Sequence, residues 1–488
     1  MISVLALLLL GDLQFTEQQL TVSGRVLWAE GRDIDGDKRA DLVAIVRRGN
    51  EPATQRFADF FFQQPNGHYP EKPTAEVAIP ADAVFSQVED LNGDGRAELV
   101  LVTGRGVSAI GWNGSAMVLS DILKAQTASP FPEIEDLPEW HFVADWHGTG
   151  AREIALFRVG SAQFYRRNAQ GVFEPREVVQ VKPNTYVDGQ GGAFQGAWSN
   201  KSSSITVSHV FPELVVGDYD GDKKPDLFAL EDDRLFIYSG DGDKFSAEPK
   251  VVLDFAMRST EERQRRNAFI AATVVDLDGD GRLDYVANKV SGGLSSMHSE
   301  THVHLNKNGF RRSPDQTLKR DGFSAMVQFV DLDQDGLPEM IEPFADVGLL
   351  TLARAMISKK ISVEWKVTPN HAGTFANKDE RTIALAFGLD FSGGPMFRGP
   401  FPRFRWDFNG DGFPDFMSSA NGTELAFNLG QKGTFEAEPS VKITSDVSPY
   451  TAAFQDPRTK RAQVLTFFRD TPGKEGKLIV LLNGTASP

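Results

Sequence analysis

Residues 276–284 read DLDGDGRLD, which places four carboxylates, Asp276, Asp278, Asp280 and Asp284, within one short stretch. Such charges repel one another, and a cation among them relieves the repulsion. Alternate side chains at Asp276, Asp278 and Asp280 point to one side, the Arg282 carbonyl can add a backbone oxygen, and Asp284 can close the site with both of its oxygens. Gly279 and Gly281 permit the tight wrap. Carboxylate oxygens are hard ligands, and a hard cation that takes about six to eight oxygens in flexible geometry is Ca²⁺, whereas Mg²⁺ is smaller and keeps its waters. An EF-hand opens in a similar way but needs a bidentate Glu at its twelfth position and helices on both sides. The twelfth residue here is Ala287 and the flanks, AATVV and YVANKV, are short and β-branched, so the EF-hand is excluded.

The same spacing recurs. DIDGDKRAD (33–41), DLNGDGRAE (90–98), DWHGTGARE (145–153), DYDGDKKPD (218–226), DLDGDGRLD (276–284), DLDQDGLPE (331–339) and DFNGDGFPD (407–415) make seven copies. Their first aspartates lie 55 to 58 residues apart in four intervals and 73 and 76 apart in the others, so two units carry insertions, at 185–205 and 345–380. The first insertion is Gly- and Ser-rich and reads as a mobile loop, and the second opens on a helical pattern over 345–360. Both are expected to supply much of any recognition surface, because loops on a rigid scaffold are where binding usually resides.

Each motif lies between two apolar runs too short for helices, and most units continue with a third run, a turn and a fourth run. Four antiparallel strands repeated at this period predict an all-β chain, an eight-bladed β-propeller of four-stranded antiparallel blades with Ca-binding loops, with seven blades as the alternative. The eighth unit is FQDPRTKRAQVLTFF (454–468), which keeps its strand lengths but carries Gln455, Pro457, Thr459 and Gln463 where acids are due. The chain then ends on KLIVLLNG, a third strand without a fourth. Residues 12–24 resemble a fourth strand and are expected to complete the last blade, which removes an exposed edge. Residues 12–488 are therefore read as a single propeller domain.

The motif resembles the FG-GAP/VCBS-type repeat, whose blades carry D-x-D-x-D-G-x-x-D between their first two strands, as in the propeller of integrin α subunits. The resemblance covers roughly residues 25–485, although the flanking FG and GAP words are absent. It implies about six Ca²⁺ sites. By match to the motif, the ligands are Asp33, Asp35, Asp37 and Asp41; Asp90, Asn92, Asp94 and Glu98; Asp218, Asp220, Asp222 and Asp226; Asp276, Asp278, Asp280 and Asp284; Asp331, Asp333, Asp335 and Glu339; and Asp407, Asn409, Asp411 and Asp415. His147 and Thr149 replace two acids in the third copy, which is expected to hold calcium weakly or not at all.

The second position of each motif is apolar, as in Trp146, Tyr219, Leu277 and Phe408, and reads as core. His298, His302 and His304 crowd one strand and offer a transition-metal or catalytic site, with a half-exposed strand as the favoured reading, and Trp112, Trp198 and Trp365 offer rings to a sugar, with buried or interface packing as the favoured reading. No Walker loop, nucleophile elbow or zinc helix is present. A formal charge of −16 argues against a nucleic-acid partner. The absence of cysteine excludes disulfides and thiolate chemistry. Residues 1–11 hold an apolar run half the length of a membrane span and read as a signal peptide without a basic start, which places the protein in a secreted, periplasmic or cell-surface setting with no transmembrane segment. The expectation is an exported, non-enzymatic and monomeric adhesion module for a protein or glycan. The alternative is a carbohydrate-active enzyme, since some polysaccharide lyases are similar calcium-bearing eight-bladed propellers.

Overall fold

The computed structural model describes residues 13–484 apart from 51–52, 128–135, 191–203, 266–267, 294–295, 377, 379, 391–395 and 437. The expected signal segment 1–11 and Trp198 lie outside the described residues.

The chain forms an eight-bladed β-propeller. In the fifth blade Phe269–Val275 runs up to the acidic loop, Asp284–Ser291 runs away from it, His298–His304 returns and Gln316–Arg320 closes the sheet, all antiparallel. The first four blades repeat this order, with second strands Asp41–Arg48, Glu98–Thr103, Glu153–Arg158 and Asp226–Glu231. These second strands are buried over most of their length because blades cover them on both faces, so they read as continuous apolar runs rather than as an alternation.

The sixth and seventh blades depart from this regularity. The sixth splits its first strand into Phe323–Ser324 and Gln328–Val330 and adds Met396–Phe397 at its outer edge. In the seventh the first strand is reduced to one bridge between Trp406 and Asp415. The eighth sheet has the order Phe15–Thr21, Lys477–Asn483, Ala462–Phe467, Ala452–Gln455. Its outer strand therefore comes from the N-terminal end of the described chain, with Phe15 opposite Asn483 and Thr21 opposite Lys477.

Eight apolar clusters hold the ring, one at each junction between neighbouring blades. The cluster between the eighth and first blades joins Leu20, Phe454 and Leu478 to Val26, Leu42 and Phe61. Burial of this kind stabilises by roughly 25 cal/mol per Å² of apolar surface. No blade can bury both faces alone, so the ring must close.

The insertions differ in detail from expectation. Asn184–Gln190 and Ser204–Val210 pair as an antiparallel ribbon, so the first insertion has a paired stem rather than being loop throughout. The helix spans Leu349–Ser358 rather than 345–360, because Lys359 adopts a left-handed φ of 53° and ends it. Lys360–Thr368 is the third strand of the sixth blade, so that part of 345–380 is scaffold.

Candidate metal centres

The motif builds its loop from hydrogen bonds between near neighbours. The first-position aspartate accepts the backbone N–H groups of the fourth and sixth positions: Asp276 from Gly279 at 2.8 Å and Gly281 at 2.9 Å, and Asp218 from Gly221 at 2.7 Å and Lys223 at 2.8 Å. Third- and fifth-position side chains accept from the residue two further on, as Asp222 N–H donates to Asp220 at 3.1 Å and Lys224 N–H to Asp222 at 2.9 Å. Positions four and six are left-handed, with φ of +75° at Gly279 and +85° at Gly281.

The ninth position lies at the start of the second strand and is buried in most loops, with Asp41, Asp284 and Asp415 exposed by no more than 1% and Glu98 half-buried. Where it is aspartate, its two oxygens tie the loop to the end of the third strand. Asp284 accepts Leu277 N–H at 2.8 Å on one oxygen and Asn306 N–H at 2.7 Å on the other. Asp226 does the same with Tyr219 and Gly240, and Asp415 with Phe408 and Gly430. In the eighth blade Gln463 accepts Asn483 N–H at 2.5 Å, so a neutral amide keeps the tie where the acids are gone.

Among the described residues four groups of acids bring one oxygen each within 4.8 Å of one another: Asp33, Asp35 and Asp41; Asp218, Asp220 and Asp226; Asp276, Asp278 and Asp284; and Asp331, Asp333 and Glu339. Ligands held at about 2.4 Å by one Ca²⁺ can stand no further apart than about 4.8 Å, so these groups are capable of coordinating a divalent ion. Asp278 Oδ1 and Asp331 Oδ1 are buried without a hydrogen-bond partner, which is costly unless a cation faces them. Burial pushes Asp41 up to about 7 and Asp284 up to about 6, with the backbone N–H groups offsetting part of that rise. Glu98, Glu339 and Asp415 are raised to about 7 by the same desolvation.

The fifth-position acids stand outside these groups. Asp37 pairs with Arg39, Asp222 with Lys224 and Asp280 with Arg282. Asp335 accepts Leu337 N–H at 2.8 Å. In the second loop Asn92 donates to Glu98 at 2.7 Å beside Asp90 and Asp94, and in the seventh Asn409 donates to Asp411 at 2.8 Å beside Asp407. An amide at the third position thus supplies donors that a carboxylate lacks.

Other residues singled out by type are packed. Trp365 is fully buried between Phe401 and Phe404, with ring centroids at 4.9 Å from each. Trp112 is half-buried against Phe62. Trp146, Leu277 and Phe408 are core, whereas Tyr219 is only half-buried beside Phe310. His304 donates through Nδ1–H to the Arg311 carbonyl, and burial lowers its pKa to about 4. His302 faces Glu300 at 3.4 Å and His298 lies 3.0 Å from Ser291 Oγ. Among the described residues the three histidines form no metal group.

One cleft of about 570 Å³ lies away from the acidic loops, at the end of the fifth blade where Ser291 meets His298. Glu300, Lys319, Arg320, Asp321 and Asp346 line it with His298. Sequence reasoning singled out only the histidine; Lys319 and Arg320 reach the cleft from the neighbouring strand Gln316–Arg320 and Asp346 from the next blade. No helix among the described residues is long and apolar enough to cross a membrane.

No curated protein sequence matches the chain. Solved structures match at low identity. An Agrocybe aegerita lectin structure described as recognising non-reducing terminal N-acetylglucosamine is 16% identical, covers 97% of this chain and 98% of its own, and has a TM-score of 0.44. Sqt1 from Chaetomium thermophilum is 10% identical with coverage of 95% and 98% and a TM-score of 0.45. The Vibrio cholerae biofilm matrix protein Bap1 is 12% identical with coverage of 94% and 77% and a TM-score of 0.28. Likenesses this distant say nothing of a ligand. Residues 218–287 and 276–341, which hold three of the four acidic groups, match the model of the FG-GAP-like repeat, and this stretch of the propeller is an FG-GAP-like repeat region.

Proposed function

We propose that the protein is a calcium-stabilised β-propeller that works outside the cytoplasm as a non-enzymatic, monomeric binding or adhesion module for a protein or glycan, with residues 12–488 as its single domain. The observation that carries the metal reading is the pair of buried, partnerless oxygens, Asp278 Oδ1 and Asp331 Oδ1, inside three-carboxylate groups. The oxygen-only donor set suits Ca²⁺ rather than Zn²⁺ or copper. The ligand set in this reading comprises the first, third, fifth and ninth positions of the six acidic loops, about six ions in all. Fifth-position acids such as Asp280 join only by leaving their basic neighbours. The ions neutralise loops on one face and stiffen the ring, leaving recognition to the opposite surface and the insertions.

The cleft lined by Glu300, Lys319, Arg320 and His298 favours a second reading, a carbohydrate-active enzyme, because acids and bases converge there. Calcium counting on metal-depleted and reloaded protein tests the first half: about six ions retained supports the reading, and none retained rejects it. A glycan array, followed by incubation of the bound glycans and product analysis, separates the two halves. Binding without cleavage supports the module, whereas cleavage abolished by Lys319→Ala supports the enzyme.

A further inference from the structure

We propose that Asn306 and Asn370 couple the three consecutive acidic loops at 218–226, 276–284 and 331–339, so that a cation bound in one raises the affinity of its neighbours. The proposal rests on the calcium reading above.

Both asparagines are buried, at 1% and 6% exposure, and both follow the third strand of their blade. Asn306 Nδ2 donates across the blade junction to the carbonyl of Tyr219 at 2.8 Å, in the preceding acidic loop. The N–H of that same Tyr219 donates to the Asp226 carboxylate at 2.9 Å. Asn306 is itself held by its backbone N–H, which donates to Asp284 Oδ1 at 2.7 Å. The carboxylates of Asp226 and Asp284 are thus joined through the backbone of Tyr219 and one asparagine.

The next junction keeps the side-chain half of the device, with Asn370 anchored to the backbone beside Glu339 rather than to its carboxylate. Asp284 Oδ2 accepts Leu277 N–H, and the Leu277 carbonyl accepts Asn370 Nδ2 at 2.8 Å. Asn370 also donates to the carbonyl of Pro338 at 3.1 Å, the residue just before Glu339. A path of hydrogen bonds and short backbone links therefore joins the carboxylates of Asp226 and Asp284 and ends on the Pro338 carbonyl, one residue before Glu339 of the third group. A second link, Leu283 N–H to the Asp218 carbonyl at 3.0 Å, ties the first two loops directly.

Ordering the loop at 276–284 around an ion fixes Asp284, and so fixes Asn306, which grips the loop before it; ordering the loop at 331–339 fixes Pro338, one of the two carbonyls that Asn370 holds together. The neighbour then gives up less conformational freedom when it binds its own ion, which is positive coupling. The loop at 33–41 serves as an internal control. Its junction with the second blade has the Ala97 N–H to Asp33 carbonyl bond at 2.8 Å, but the residue there in register with Asn306 and Asn370 is Trp112, which carries no amide and packs on Phe62.

The test is a calcium titration of the full chain, read loop by loop from hydrogen–deuterium exchange midpoints, with native mass spectrometry counting the ions. Asp278→Ala leaves both asparagines in place. It is expected to move the calcium midpoints of 218–226 and 331–339 upward by about fivefold or more while 33–41 stays put. In Asn306→Asp and Asn370→Asp proteins, Asp278→Ala is expected to leave the corresponding neighbour unmoved. Unmoved midpoints in Asp278→Ala alone overturn the coupling. A shift that persists in both Asn variants overturns the assigned route, and an asparagine variant that fails to fold leaves the Asp278→Ala result to decide. A wild-type chain that takes up no calcium rejects the underlying metal reading instead.

Discussion

His147 Nδ1 lies 2.6 Å from Glu153 Oε2, and these two residues occupy the motif positions that Asp278 and Asp284 hold in the fifth blade. Nε2 of the same ring lies 2.8 Å from Glu177 Oε1, Arg166 pairs with Glu153, and the ring stacks on Phe245 with centroids 4.3 Å apart. The third blade thus carries its positive charge on its own side chains where the fifth brings three acids together. Burial lowers the pKa of the imidazole, but the hydrogen bonds and charges of Glu153 and Glu177 outweigh it and hold His147 above the ordinary histidine value.

Replacing His147 with Gln leaves two buried or nearly buried carboxylates short of a counter-charge and is expected to cost about 3 kcal/mol at pH 6 in chemical denaturation. Because the folded pKa is raised, the charge-dependent part of this stabilisation is complete below the unfolded value of about 6.5 and is lost as pH rises through the folded value. The gap between the wild-type and His147→Gln melting curves should therefore narrow from pH 6 upward. A gap independent of pH would show that only packing is lost.

Asp278→Ala should have opposite effects in two buffers. In excess chelator it removes a carboxylate with a buried, partnerless oxygen and should leave the melting temperature unchanged or higher. In calcium at a hundredfold above Kd it should forfeit about 2.7 kcal/mol. Asp145→Ala, by contrast, loses the acceptor for Thr149 and Gly150 N–H, and should cost about 1 kcal/mol with or without calcium.

The outer strand of the eighth blade places Leu20 at 0% exposure among Phe454, Leu465 and Leu478. Leu20→Ala is expected to destabilise the protein by about 3 kcal/mol in urea unfolding. Removal of the strand bares Lys477–Asn483 as an edge, and should produce concentration-dependent association in light scattering as well as a lower melting temperature.

Lys38 and Lys223 sit at the left-handed sixth position with φ of 65° and 64°, where the five other loops have glycine. Left-handed backbone strains a residue with a Cβ by about 1 kcal/mol, offset in part by the added freedom of an unfolded glycine. Lys223→Gly should therefore raise stability by ~0.5 kcal/mol, as judged by the urea midpoint.

The loops and their flanking strands were legible because they depend on near neighbours. Asp276 caps the N–H of Gly279 and Gly281 whatever the rest of the chain does, and alternation and β-branching mark the runs on either side. The eight-bladed ring follows from the same regularity, since a blade buried on both faces must be followed by another. The helix was legible in place but not in extent, because Lys360–Thr368 is held as a blade strand by Glu339–Ala345 and Arg381–Asp390, which lie far from it in sequence.

The amino-acid order by itself determined a repeated, oxygen-rich turn between strands, and therefore the propeller and the chemistry open to its loops. Only the tertiary structure decided which oxygens meet. It gathers the first, third and ninth positions, it encloses Trp365 among phenylalanines, and it brings Glu177 to His147. It also joins Asn306 to Tyr219, 87 residues away. The physical reason is range: turns and caps are settled within a few residues, whereas burial, charge pairing and the links between blades require neighbours that only ring closure supplies.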